Sequence, residues 1–232
     1  MRFPLIGVML LMVCTYVAPE HPAEGAVVVG SAHPRVLLAG NGAADSLRYR
    51  AKNVSPYREA YATLKTRVDG WSAPTTNRYI SGSQIQAVVL VALVEDYAAG
   101  YLAKVDAWLT DLFERQGVVA LARAGDGGAI WGSGDISLGV AMAYDWLYPV
   151  LAPAKRVQYG TYLRDFQQAV ITQQGGLTRD ASRSDYSNQF YFFDGMLGVT
   201  GIALFGDGID DTLASTYVSR FDTYVRNNMI PV

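Results

Sequence analysis

Thiols and imidazoles are almost absent. Among 232 residues there is one cysteine, Cys14, and there are two histidines, His21 and His33, all close to the start. If Cys14 leaves with an export leader, no disulfide framework and no thiol nucleophile remains. The scarcity of histidine removes most metal sites and any histidine-based triad from the body of the chain. A basic field is lacking too. The formal net charge of −2 argues against nucleic acid as a partner. No phosphate-cradling glycine loop, nucleophile elbow or Cys/His metal spacing occurs, so no cofactor is expected. "GDGIDD" (Gly206 to Asp211) does not match an EF-hand loop, and Asp210 reads as a cap for the helix after it.

Long apolar runs are also missing. The longest, "FPLIGVMLLMVCTYVA" (Phe3 to Ala18), falls short of the ~20 residues a bilayer span needs, and Pro19, Glu20 and His21 follow it at once. With Arg2 ahead, it reads as an export signal over residues 1–26, cleaved between Ala18 and Ala26. A membrane anchor is the competing reading. Val13 before Cys14 argues against a lipoprotein signal. The mature chain is therefore expected in the periplasm or outside the cell, without stable membrane association.

What is present is apolar and aromatic. Half of the residues are apolar, enough to bury a core, and there are fifteen tyrosines and four tryptophans. Aromatic faces suit sugar rings, although tyrosine-rich helix packing produces the same count. In "NVSPYREAYATLKTRV", Ser55 is expected to cap and Pro56 to occupy the first helical position. Tyr57, Ala60, Tyr61, Leu64 and Val68 then form one stripe.

Three helical pairs are predicted after it. The first spans about Gly82 to Tyr97 and Tyr101 to Arg115, the second about Ile136 to Tyr148 and Pro153 to Thr172. The third spans about Gln189 to Phe205 and Asp210 to Asn227. The first member of each pair is apolar on most sides ("IQAVVLVALV", "ISLGVAMAYDWLY", "FFDGMLGVTGIALF"). The second is amphipathic, as where Val157, Leu163, Phe166 and Val170 are expected to share a face. A helix apolar all round must be enclosed, whereas one with a single stripe lies outside. Hairpin starts recur at intervals of roughly fifty residues. The pattern predicts an all-α chain whose helical hairpins form an incomplete (α/α) toroid over residues 27–232. The rival is an irregular all-α domain. An open arc would leave apolar inner helices without neighbours, and self-association is expected of it.

Three segments, in order, carry a resemblance: "HPRVLL" (His33 to Leu38), "LGVAMAYDWLYPVLAPAKRVQYGTYL" (Leu138 to Leu163), and an Asn before an apolar helix ending in "ALFGDG" (Ala203 to Gly208). From about His33 onward the chain resembles the N-terminal helical domain of heparinase II/III-like and alginate-lyase-like polysaccharide lyases. The resemblance implies a toroid continuing into further hairpins and β-sandwich domains, and β-elimination of a uronic-acid polysaccharide. It also implies an Asn or Gln that neutralises the uronate carboxylate at the start of an inner helix, with Tyr or His as acid/base. Two departures stand out. Gln189 occupies the place where many relatives have a His, and the chain ends at Val232, before the hairpin that usually brings the acid/base Tyr. A fragment of a longer protein is the expectation.

Two loops, Leu121 to Asp135 and Gln173 to Asn188, precede inner helices and are expected to open at one rim. Asn188 is the candidate carboxylate neutraliser. An amide aimed at a carboxylate spreads the charge that builds when the neighbouring proton leaves. By spacing alone it reads first as a helix N-cap, and the resemblance brings the neutraliser role level with that reading. Gln189 adds a second amide, and Arg183 or Arg179 could hold a carboxylate bidentately. Tyr191 is the candidate acid/base and Tyr186 a sugar-stacking neighbour, with packing as the plainer role for both. Trp131, between Gly128, Gly132 and Gly134, either stacks on sugar or plugs the fold. Tyr144 and Trp146 are assigned to the core. Asp126, Asp135, Asp185 and Asp194 would serve the alternative chemistry, a glycosidase with paired carboxylates. Of these, Asp194 must be either paired or functional. A non-catalytic carbohydrate-binding chain is the third reading.

Overall fold

The computed structural model describes residues 28–38, 40, 42–72, 78–118, 122, 129–173 and 188–228, and every regular element among them is helical. The side chains of 78–80, 129–132, 188–192 and 227–228 lie outside the described residues. So do the expected leader, 1–26, and Asp126, Arg179, Arg183, Asp185 and Tyr186.

The helices are α1 (Ala43–Asn53), α2 (Tyr57–Gly70), α3 (Arg78–Val94), α4 (Ala99–Thr110), α5 (Ala129–Leu147), α6 (Pro153–Gln173), α7 (Asn188–Leu204) and α8 (Asp211–Asn228). A π turn, Asp111–Arg115, extends α4, and a 3-10 turn, Tyr148–Val150, follows α5. Ahead of them all runs an irregular strap, residues 28–38.

The alternation of enclosed and peripheral helices is present. Consecutive apolar helices pack side by side, α3 along α5 and α5 along α7, and each packs against the helix that follows it. Every residue from Ile85 to Val94 is buried, so α3 is surrounded. From Ile136 to Leu147 only Leu138 is partly exposed. Burying each such Val, Leu or Ile contributes about 1.5–3 kcal/mol. Along α7 one stripe, Gly195, Val199 and Ile202, stays partly open. Two further helices, α1 and α2, pair with each other and cover α3.

Glycine sets the α3–α5 distance. A Cβ on Gly82 would lie 2.1 Å from the carbonyl carbon of Asp135, and one on Gly139 would lie 2.8 Å from the carbonyl oxygen of Gly82. Only two bare backbones fit there. Between α5 and α7 the register is polar. From α6, the fully buried Gln167 accepts hydrogen bonds from Ser137 (3.1 Å) and Thr200 (3.2 Å). Seven residues further along both chains, the Tyr144 hydroxyl donates to Asp207 at 2.8 Å. A constant offset of this kind means that α5 and α7 run parallel.

Several local expectations change. Helix α2 begins at Tyr57, with Pro56 as its N-cap, and no side chain caps it. Within its stripe Tyr61, Leu64 and Val68 are buried, while Ala60 is exposed. Val157 is exposed because the buried face of α6 runs through Tyr159, Leu163, Phe166 and Val170, at spacings of four, three and four. Helix α3 stops at Val94, where Asp96 and Tyr97 take left-handed conformations (φ 52° and 59°) that reverse the chain. Segment 129–135, read as loop, is helical. The cap at Asp210 is present, accepting from the Leu213 amide at 3.0 Å.

Candidate functional site

The amino-terminal parts of α5 and α7 carry the sequence-predicted site residues that fall among the described ones. Asn188 is the first residue of α7, Gln189 the second and Tyr191 the fourth, so Asn188 and Tyr191 share one face of its first turn. Asn188 is thus inside the helix rather than before it. Trp131 belongs to the first turn of α5 and not to a glycine-rich loop. The first turn of any helix offers unpaired amides and a positive dipole end, both favourable to an anion.

Below these first turns lies a polar layer unusual for an enclosed helix row. Ser81, Gln84 and Gln86 on α3, Ser133 and Ser137 on α5, Gln167 and Thr200 are all buried. Asp135 belongs to it. Its backbone carbonyl accepts from Gln86 at 3.1 Å. Burial pushes its carboxyl up to about 6, against a smaller opposing effect of a Ser83 hydrogen bond. Such a carboxyl holds its proton into mildly acidic solution, as a general acid must. Asp194, the other described candidate carboxylate on an inner helix, is paired. It accepts from Arg220 of α8 at 2.8 Å and is buried.

At the opposite ends of the same helices the strap docks through charge. The His33 ring lies 2.5 Å from Asp145 through Nδ1, and 3.1 and 3.2 Å from the two oxygens of Asp207 through Nε2. Arg35 donates to both Asp207 oxygens (3.0 and 3.3 Å) and to the carbonyl of Phe205 (2.7 Å) just past α7. There its positive charge meets the negative end of the helix dipole. Asp145 accepts the amides of Arg35 and Val36 at 2.8 Å each, and Trp146 returns a bond to the Val36 carbonyl at 2.8 Å. The His33 ring stacks on Tyr148 at 3.8 Å, and Arg156 lies 4.3 Å from the same tyrosine ring.

The cluster is sealed. The side chains of His33, Asp145 and Asp207 are 4, 0 and 5 % exposed. Burial works to lower the His33 pKa, but hydrogen bonds and charge from Asp145 and Asp207 outweigh it and hold it above the ordinary value. For Asp207 burial acts upward, and the bonds from His33, Tyr144 and Arg35 outweigh it and hold the carboxyl below its usual range. Burial, then the Asp207 contact, pushes the Tyr144 hydroxyl up. Tyr144 and Trp146 are buried, as the sequence indicates.

His33 lies near the start of the sequence and at the heart of a charge cluster. The signal for it is present in the quoted segments, since "HPR", "AYDWLY" and "FGDG" each supply part of the cluster. A cleft of about 540 Å³ lies beside the strap, bounded by Ser31, Arg35, Ala43, Asp45 and Ile202. Ile202 is some 21 Å along α7 from Asn188 at ~1.5 Å per residue, so this cleft is not the one the sequence predicts.

Among the described residues no helix is long and apolar enough to cross a membrane, and no set of three His, Cys, Asp or Glu gathers as a metal site. No protein-family model, curated protein or solved structure matches the chain.

Proposed function

We propose that the chain is an exported (α/α) toroid polysaccharide lyase acting on an acidic, uronic-acid polysaccharide by β-elimination. Asn188 neutralises the uronate carboxylate, assisted by Gln189 and Arg183. Tyr191 takes the C5 proton, and Tyr186 and Trp131 line the cleft. As the C5–H bond breaks, its electron pair forms the C4–C5 double bond, the C4–O bond opens, and the departing oxygen is protonated. The observation that carries the reading is that α7 begins at Asn188, beside a parallel enclosed helix. An amide and a helix terminus on one turn suit a carboxylate whose charge grows in the transition state. The convergence of three resembling segments in one cluster supports treating them as a unit.

A glycosidase is the second reading, favoured by the raised pKa of Asp135. Asp194 is withdrawn from that role by Arg220.

The test is to incubate the whole chain with a panel of uronate polysaccharides. An ultraviolet-absorbing unsaturated product marks the lyase, and Asn188→Ala is then expected to lower kcat by about 100-fold or more. New reducing ends without that absorbance mark the glycosidase. Saturable binding with neither marks a carbohydrate-binding chain.

A further inference from the structure

The strap is held at its middle by a ring that both neighbours require to be charged. Nδ1 of His33 faces Asp145 of α5, and Nε2 faces Asp207 in the turn after α7. An ionised carboxylate accepts and cannot donate, so both nitrogens must carry hydrogen, which only the imidazolium does. With Arg35 the group then sums to zero, two positive charges against two negative. A neutral ring would turn a lone pair toward one carboxylate and leave the group net negative inside a sealed site.

We propose that His33 is a pH-operated clasp: its imidazolium fastens the strap to the ends of α5 and α7, and loss of its proton in alkaline solution loosens the strap. The surrounding groups all bear on this. From α5 come Asp145 and Tyr144, and from the 3-10 turn comes Tyr148 stacked on the ring. From α6 comes Arg156 over Tyr148, from the turn after α7 Asp207, and from the strap Arg35. Across the adjoining cleft lies Asp45 of α1. Two carboxylates touch the ring and outweigh its burial, so its proton is held above the ordinary imidazole value. A group whose folded pKa is raised stabilises fully below its ordinary value, and the contribution fades as pH rises through the raised one. When the ring is neutral, Arg35 and Tyr144 still hold Asp207, so the strap slackens rather than the domain unfolding. What opens first is the Asp145 side, where the amides of Arg35 and Val36 are bonded. The cleft walled by the strap widens with it.

The experiment uses nitrogen-15 NMR of the whole chain. Its only other histidine is His21, and His33→Gln assigns the two signals. Both nitrogens of His33 are expected to remain protonated at pH 7. Exchange of the Arg35 and Val36 amides is expected to accelerate by about tenfold beyond the intrinsic base-catalysed rise as His33 titrates, corresponding to a loss of ~1.4 kcal/mol. In Asp207→Asn the step should move to lower pH, and in His33→Gln it should vanish. A neutral His33 at pH 7 overturns the proposal. So does exchange at those two amides that follows the intrinsic rate straight through the His33 titration, a result the unsubstituted protein alone supplies if a variant fails to fold.

Discussion

Asp145 is a carboxylate with no water to lean on. It is fully buried, and its oxygens are spent on the His33 ring and on two successive backbone amides of the strap. Asp145→Asn keeps the shape but removes the charge and turns a donor toward donors. Urea denaturation is expected to show a loss of about 3–5 kcal/mol, the usual result of breaking a buried pair on one side. Asp135 behaves in the opposite sense. Its carboxyl is raised from 3.8 to about 6, so the folded chain binds more protons than the unfolded one across that window. Stability from this group therefore falls as pH climbs from about 4 to 6 and stays low above. Asp135→Asn should flatten that fall and stabilise the protein at pH 7 by about 1–2 kcal/mol, allowing for solvent screening of a group partly open to water. Denaturation midpoints from pH 4 to 8 would check this. Some of these roles are legible locally. An acid inside an apolar helix had to be either paired or functional, and Asp194 is paired. The role of His33 is not legible locally, because its partners are 112 and 174 positions away and no helical or strand period links them.

At the scale of elements, hydrophobic runs locate α3, α5 and α7 and amphipathic stretches locate α4, α6 and α8. A strong apolar pattern leaves few alternatives. Helix α1 escapes because its stripe, Ala43, Leu47 and Ala51, is mostly alanine in a polar segment, and only Ala51 of its eleven residues is buried. The first turns of α5 escape for another reason. Glycines there read as loop, yet Gly134 is buried inside the helix. Two glycine substitutions should separate the meanings. Gly82→Ala drives a methyl into the backbone of Asp135 and is expected to cost about 3 kcal/mol or more. Gly195→Ala meets nothing within 4 Å and removes backbone freedom from a helix interior, so it should stabilise by about 0.5–1 kcal/mol. Thermal melts of the two variants should shift in opposite directions.

On the scale of the molecule, one buried cluster runs from Val36 in the strap through every inner helix to Tyr217 in α8. Strap and helices should therefore unfold together at neutral pH, with tryptophan fluorescence and far-ultraviolet circular dichroism giving coincident transitions. An earlier fluorescence step at pH 7 would mean that part of the row melts alone. Helices α1 and α2 cover the α3 side of the helix row, a contact that no single helical pattern announces because it is tertiary. The candidate residues, an amide and aromatics near helix starts, are named by the sequence one segment at a time, whereas their mutual geometry is a property of neighbouring helices. The clasp finally imposes a rule on sequence drift. Three stretches, far apart in the sequence, hold a single shared neutrality, so none can change its charge by itself without leaving a buried imbalance. Descendants that replace His33 with a neutral residue should have lost one of the two acids in the same lineage, and the three stretches should pass from ancestor to descendant as one inherited character.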